Sequence, residues 1–500
     1  MRKLLLTGSR IEGENTSDQK EILSAIRSVV EETATGEGGE IMIRASDIEI
    51  SGGAAITNST AGMGDAGDIS IFTDIFVLSG TSQESSSLSS IMSAVEGKAT
   101  GNGGNISIIA DSNILVENGA GLTASTLGAG SAGSISLSSQ DILFRGRGRE
   151  GFPSAADVRI SESATVPADA VNTTRKNSIT VIANNDFKLQ DGAQLIASTE
   201  SAGDSGNIFV RAGDITISGS TVTSLSPRLP AGLLTNTATG STGSGGDIVV
   251  EADSLTIKES AALSSRSGGQ GNAGNIILNI KDSILVRDGD IDTVTTQANQ
   301  ADGGNVDINT RALTLEGDGD ITTRVLQGSG TGGRIDIDAT DFILASGDSD
   351  IIAASFSGSG GNISLETKNF FGVGFEEASL SANPDDLDGN DQVDVNSNGS
   401  VTLSSVGVLG NDLTSLPDGL ILSDQLISSS CIARNENGQG TLIETGSDGI
   451  ANNPDLVSTP SFSTGIVQSI LDQAGDVSIE EPDEIYRLTD GRLVMARACL

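Results

Sequence analysis

Histidine and tryptophan are absent from this chain, tyrosine occurs once, and cysteine occurs only twice. Without histidine no side chain has an ordinary charge change between pH 5 and 8, so imidazole proton shuttles and imidazole metal ligands are excluded. The shortage of large polar aromatics leaves little on which a sugar ring would stack. Basic residues are scarce: 28 Lys and Arg face 67 Asp and Glu, a net charge of −39. Nucleic acid and anionic membrane surfaces both require clustered Lys and Arg, so neither is expected as a partner. No apolar run reaches the length of a membrane span. The opening MRKLLLTGSR offers only Leu4–Leu6 as a hydrophobic stretch, too short for the core of a signal peptide. The motifs C-x-x-C, H-E-x-x-H, G-x-S-x-G and the phosphate-binding loop do not occur.

Glycine, by contrast, occurs 64 times, and much of it falls in one recurring phrase. Gly-Gly, or a small residue and Gly, is followed by a polar residue and an alternating apolar run. Examples are GGEIMI at 38–43, GGNISI at 103–108, GGDIVV at 245–250 and GGNISL at 360–365. The second glycines are Gly39, Gly67, Gly104, Gly133, Gly206, Gly246, Gly274, Gly304, Gly333 and Gly361, with steps of 28, 37, 29, 73, 40, 28, 30, 29 and 28. The step of 73 hides a degenerate copy, NSITVI at 177–182. A period near 28 with insertions is the signature of a solenoid.

Each unit reads as three short strands. The run after Gly-Gly alternates apolar and polar residues, a second run follows about six residues later, as in DITISGST at 214–221, and a third ends in small residues, as in LTAST at 122–126 and ITTRV at 321–325. Gly, Asn, Asp and Ser between them are read as supplying the turn and left-handed conformations of corners. No unit buries its own apolar face, but stacked units do. The expected fold is therefore all-β: a right-handed parallel β-helix of about 12–13 coils with a small irregular C-terminal segment. At the ~4.8 Å spacing of neighbouring strands, the stack would measure on the order of 60 Å. Asn after Gly-Gly (Asn105, Asn207, Asn275, Asn305, Asn362) is read as a corner residue in preference to a side-chain ladder, because Asp, Ser, Glu and Arg also occupy the position. Residues 19–32 have helical apolar spacing. Yet 23–41 aligns without gaps to 88–106, with 12 of 19 positions identical, so strand is expected there too. LLLTG at 4–8 resembles FVLSG at 76–80.

Three regions follow: repeats over 1–375, a last irregular coil over 376–410, and a C-terminal segment over 411–500 where Pro417, Pro454, Pro460 and Pro482 appear. VQSILDQ at 467–473 reads as a short helix or a linker, and 485–498 as a hairpin around Asp490-Gly491. Cys431 and Cys499 lie outside the repeats and are compatible with a disulfide in an exported protein or with free thiols.

Candidate chemistry is sparse. DVNSNG at 394–399 matches the opening of a calcium loop through Asp394, Asn396, Asn398 and Gly399, but the twelfth position is Ser405 rather than a bidentate Glu. Asp338 with Asp341, and Asp288 with Asp290, are candidate paired carboxylates. Aspartate lies at turns throughout, so no catalytic, cofactor-binding or metal-ligating residue is assigned. Basic residues cluster once, as Arg145, Arg147 and Arg149, in an insertion placed at 145–177. That cluster is read as a solvated loop or as a contact for an anionic glycan or another chain. Further insertions are placed near 81–95 and 224–243.

Repeats and tail together resemble the cyanobacterial branch of the filamentous-haemagglutinin-like, two-partner-secretion exoproteins. The tail residues that carry the resemblance are Leu416-Pro417 followed by SDQLISSSC ending at Cys431, TGSDGIANNP at 445–454, and Tyr486 with Asp490-Gly491 and LVMA at 493–496. Ser447, Asp448 and Ala451 depart from the family phrase, and Tyr486 stands where Trp is commoner. The resemblance implies a secreted or surface-attached, non-catalytic fibre for adhesion or aggregation. It also implies export through an outer-membrane β-barrel transporter, no cofactor, and contacts with surface glycans or other cells. The family's N-terminal secretion domain is not found, so the chain is expected to be the C-terminal part of a longer protein. The alternatives are a β-helical polysaccharide lyase or glycosidase, and a remnant without function.

Overall fold

The computed structural model describes residues 3–12, 20–82, 87–161, 164, 178–221, 229–297, 300–372, 387, 389–404, 407–409, 484–487 and 493–496. Among them there is no helix, and 28 strands hydrogen-bond into one sheet system. The chain divides into two compact units, Met1–Leu413 and Thr414–Leu500.

In the first unit each strand of this sheet system pairs in parallel with its counterpart in the next repeat. After Gly-Gly the register runs Ile41, Ile69, Ile106, Ile135, Ile179, Ile208, Ile248, Ile276, Val306, Ile335, Ile363, Val401. All but Val401 are buried. The second strands place Phe76, Ile114, Ile142, Phe187 and Ile215 in one register, and the third strands place Ile56, Ile91, Leu122, Ala156 and Leu195 in another. The inward side chains of all three strand sets merge into a single apolar cluster. Fully burying one Ile contributes roughly 1.5–3 kcal/mol, so the alternation of apolar and polar residues fixes both face and register.

On the third strands the inward positions change from apolar to hydroxyl-bearing. Thr235, Thr293 and Thr323 are fully buried. They donate to the carbonyls of Gly246, Gly304 and Gly333, each at 2.7 Å. These hydroxyls tie the third strand to the Gly-Gly arc and satisfy carbonyls that have left the strand ladder.

Several expectations meet the structure directly. Lys20–Leu23 and Ala25–Val30 are strands, and Ala25–Val30 pairs in parallel with Ala55–Thr60. Lys3–Thr7 pairs with Asp47–Ser51, the second-strand position that the match of LLLTG to FVLSG predicts. The insertions are shorter than expected. Ser90–Val95, Ala155–Ile160 and Gly232–Thr237 are third strands in full register with their neighbours, so only parts of 81–95, 145–177 and 224–243 leave the sheet. The 376–410 region keeps the repeat pairing: Val395–Ser397 lies against Ile351–Ala353, and Val401–Ser404 against Ile363–Glu366. In the second unit Glu484–Arg487 and Leu493–Ala496 form the expected antiparallel pair. Cys431, Cys499, residues 467–473 and the phrases at 416–431 and 445–454 lie outside the described residues.

Candidate functional site

The repeat glycines form a column in which one backbone rests on the next. A Cβ on Gly67 would overlap the carbonyl of Gly39, and the same holds for Gly104 on Gly67, Gly133 on Gly104 and Gly246 on Gly206. It holds again for Gly274 on Gly246, Gly304 on Gly274, Gly333 on Gly304 and Gly361 on Gly333. None of these glycines has a positive φ. Their conservation of type along the array thus reflects close approach, not the left-handed corner expected from sequence. Positive φ is concentrated at a different corner, between second and third strands, at Gly80, Asn118, Gly119, Gly146, Gly192 and Gly219, with Gly240 and Gly328 as exceptions in the arcs before the first strands.

The residue after Gly-Gly does form a ladder, contrary to the corner-only reading. Its carbonyl accepts the N–H of the preceding repeat's isoleucine, as in Ile248 to Asn275 and Ile276 to Asn305, both 2.8 Å. Its side-chain oxygen accepts the N–H of the residue one repeat on. Asn275 N–H donates to Asp247 Oδ1 at 2.8 Å, Asn305 N–H to Asn275 Oδ1 at 3.0 Å, and Arg334 N–H to Asn305 Oδ1 at 2.9 Å. The link requires only an oxygen acceptor, so Asp at the position extends the ladder as Asn does. A second ladder runs three residues earlier, through Asn102 N–H to Asp65 Oδ1 and Thr331 N–H to Asp302 Oδ1.

The candidate carboxylates do not pair as the sequence spacing proposes. Asp288 sits at a corner with φ 49°, while Asp290 opens a third strand. Asp290 is aligned with Asp320, one residue before the Ile291–Ile321–Ile351–Val395 register that also places Asp350 and Asp394. Asp350 N–H donates to Asp320 Oδ1 at 2.9 Å, and Asp394 N–H to Asp350 Oδ1 at 3.0 Å. Burial pushes the Asp320 carboxyl up to about 8; the N–H of Asp350 opposes this, and the carboxylates of Asp350, Asp290 and Asp318 add to it. Asp341 instead accepts from Lys368 at 3.0 Å and Arg311 at 3.2 Å, which hold its carboxyl below the usual range. In the proposed calcium loop, Val395–Ser397 is a strand, so Asp394 and Asn396 point to the face opposite Val395. Asp394 receives Asn390 Nδ2 at 2.7 Å. Gly399 N–H donates to Ser397 Oγ, and Ser405 lies outside the described residues.

A feature not anticipated from sequence lies at the second-to-third-strand corner. In every other repeat as far as Ala231 the chain leaves this corner and returns, whereas the next repeats turn tightly at Glu259-Ser260, Asp288 and Gly317. The necks close through Ser24 N–H to Gly8 O, Ser89 N–H to Gly80 O, Ser154 N–H to Gly146 O and Ala231 N–H to Gly219 O, at 2.9–3.1 Å. Each excursion starts as an antiparallel pair: Ser9–Glu12 with Lys20–Leu23, Thr81 with Leu88, Arg147 with Pro153, and Ser220–Thr221 with Leu229–Pro230. The intervening repeats turn tightly, at Gly52-Gly53, Asn118-Gly119 and Asp191-Gly192, all with positive φ. The alternation has a steric reason. Strand layers pack about 10 Å apart, close to twice the ~4.8 Å rung spacing, so one hairpin fits for every two rungs.

These hairpins touch across the tight corners. Arg147 donates to Gly151 O at 2.8 Å within its own hairpin and to Leu229 O of the next at 3.5 Å. Burial lowers its guanidinium pKa. Arg145 pairs with Glu117 at 2.6 Å, and Glu117 also accepts from Ser79. Between the Thr81–Leu88 and Arg147–Pro153 hairpins lies a cavity of about 380 Å³ lined by Thr81, Ser82, Asn118, Arg147 and Arg149. A second, shallower groove of about 460 Å³ lies along Asn279, Asn309, Lys281, Arg311 and Asp338. No family model, curated protein or solved structure matches this chain.

Proposed function

We propose that the first unit winds as a right-handed parallel β-helix and serves as the rod of an extracellular or cell-surface exoprotein. In this reading it belongs to the filamentous-haemagglutinin-like class, acts in adhesion or aggregation without catalysis, and is exported by an outer-membrane β-barrel transporter. The observation that carries the reading is the row of hairpins along one corner of a continuous parallel ladder. A long, stiff array with a row of hairpins on one edge presents repeated contact points over an extended surface. The acidic surface keeps such an edge-bearing β-structure soluble. The test is protease shaving of intact cells followed by immunoblotting for residues 378–500. Loss of the signal without lysis is the expected result. Protection until lysis overturns the reading and favours an undisplayed remnant.

The alternative, a polysaccharide-acting enzyme, has one observation in its favour: the Asp290–Asp320–Asp350 column holds a carboxyl that burial pushes up to about 8, beside further carboxylates. New reducing ends released from an acidic polysaccharide by the wild-type chain, and not by Asp320→Asn, would establish that alternative.

A further inference from the structure

Most arginines described on this surface have an acid to answer to. Arg145 has Glu117, Arg211 has Glu251, Arg266 has Asp292, Arg287 has Glu316, Arg311 has Asp341 and Arg334 has Asp307. Arg147 and Arg149 differ. Arg147 is held by backbone carbonyls, its Nε is buried without a hydrogen-bond partner, and neither arginine forms an ion pair among the described residues. In a chain of net charge −39, two uncompensated cations side by side are exceptional, and they line the same cavity. Glu117, one repeat before, is already neutralised by Arg145, and Glu150 does not line the cavity.

We infer that the cavity between these two hairpins binds the acidic group of a terminal sugar, a hexuronate carboxylate or a sugar sulfate. The inference rests on the adhesive reading above and names a ligand class for it. The Arg147 guanidinium is committed to the carbonyls of Gly151 and Leu229 and contributes charge, whereas the exposed Arg149 presents a fork that matches a carboxylate or sulfate in a bidentate manner. Thr81 and Asn118 supply neutral hydroxyl and amide groups of the kind that ring hydroxyls require. Phe152, on the same hairpin as Arg147 and Arg149, leaves 55% of its surface exposed. A volume of about 380 Å³ accommodates one or two sugar rings, at the lower end of ordinary ligand pockets. The occupant carries a single acidic group, not a polyanion. The remaining surface repels extended negative charge, whereas one group at the cavity is screened from it beyond about 8 Å at physiological salt.

The test is titration calorimetry on the full chain with three probes: a glucuronate-terminated oligosaccharide, its glucose-terminated congener, and a sulfated-galactose congener. Binding of the glucuronate or sulfate probe, at least tenfold tighter than the glucose probe, is expected, and the better of the two identifies the acid. Arg149→Gln should weaken that binding tenfold or more at an unchanged unfolding midpoint. Arg159→Gln, remote on the third-strand face and paired with Asp157, should leave it unchanged. Equal affinity for the glucose congener, or full affinity in Arg149→Gln, overturns the inference. Absence of binding by all three probes from a chain that shaving shows to be displayed also overturns it while sparing the adhesive reading. Protection in the shaving experiment fails that reading whatever the calorimetry gives.

Discussion

At Gly304 a methyl group would overlap the Gly274 carbonyl, whereas at Gly97 the corresponding space is open. Gly304→Ala should therefore cost roughly 1–3 kcal/mol in urea denaturation, the usual penalty of overpacking, and Gly97→Ala about 0.5 kcal/mol or less in either direction. The periodic glycines were plain in the sequence. Their reason was not, because the clash is with a carbonyl 30 residues away, and only the assembled ladder brings the two backbones together. Asp320 makes the same point for charge. Its folded pKa of about 8 lies above an unfolded value of ~3.9, so the folded state holds a proton that the unfolded state has lost. Its contribution is most favourable below the unfolded value, falls as pH rises from about 4 to about 8, and is then lost. Asp320→Asn keeps the acceptor for Asp350 N–H and removes the titration. The variant should match the wild type in thermal unfolding near pH 4 and exceed it at pH 9. A difference independent of pH would refute the assignment. Nothing in the sequence around GDGDI at 317–321 separates this aspartate from the many at turns.

At the scale of the element, the strands were legible wherever apolar residues alternated, because burial of one face is what makes both the pattern and the strand. The ladder after Gly-Gly is hidden in the sequence because a mixture of Asn and Asp argues against a ladder of amides. The acceptor oxygen is the working atom, and Asp247 and Asn275 both provide it. Asn305→Ala removes the acceptor for Arg334 N–H and the donor to Asn275 Oδ1. The expected loss is about 1–2 kcal/mol, read from the denaturation midpoint. The hairpin row was half visible. Steps of 28, 37 and 29 already alternate between short and long, but the step of 73 merged two repeats and hid the continuation. The third strands at 90–95, 155–160 and 232–237 fall inside the expected insertions, since their few inward apolar residues, such as Ile91, Val158 and Leu233, stand among small and polar ones and give a weaker signal than the other strands.

Over the whole first unit, every strand set pairs only with its counterparts before and after it. Perturbations should accordingly stay local. Gly67→Ala and Gly304→Ala, with no shared neighbours, should add to within about 0.5 kcal/mol in the double variant, and hydrogen exchange in Gly304→Ala should rise around 276–345 while 41–60 keeps its protection. Coupling well above that sum would mean that the unit melts as one block. The side-chain ladders also point one way. Asp68, Asn105, Asp247, Asn275 and Asn305 each accept an N–H from the residue that follows one repeat later. The array thus has a chemical polarity. Wherever Asp or Asn holds the position, an advancing front that lays down repeats in chain order meets side-chain acceptors already in place, while a front moving backwards meets bare N–H donors. Assembly from one direction is templated by fixed oxygen atoms, and from the other it must wait for them, which makes the order of folding a property written into the rungs themselves.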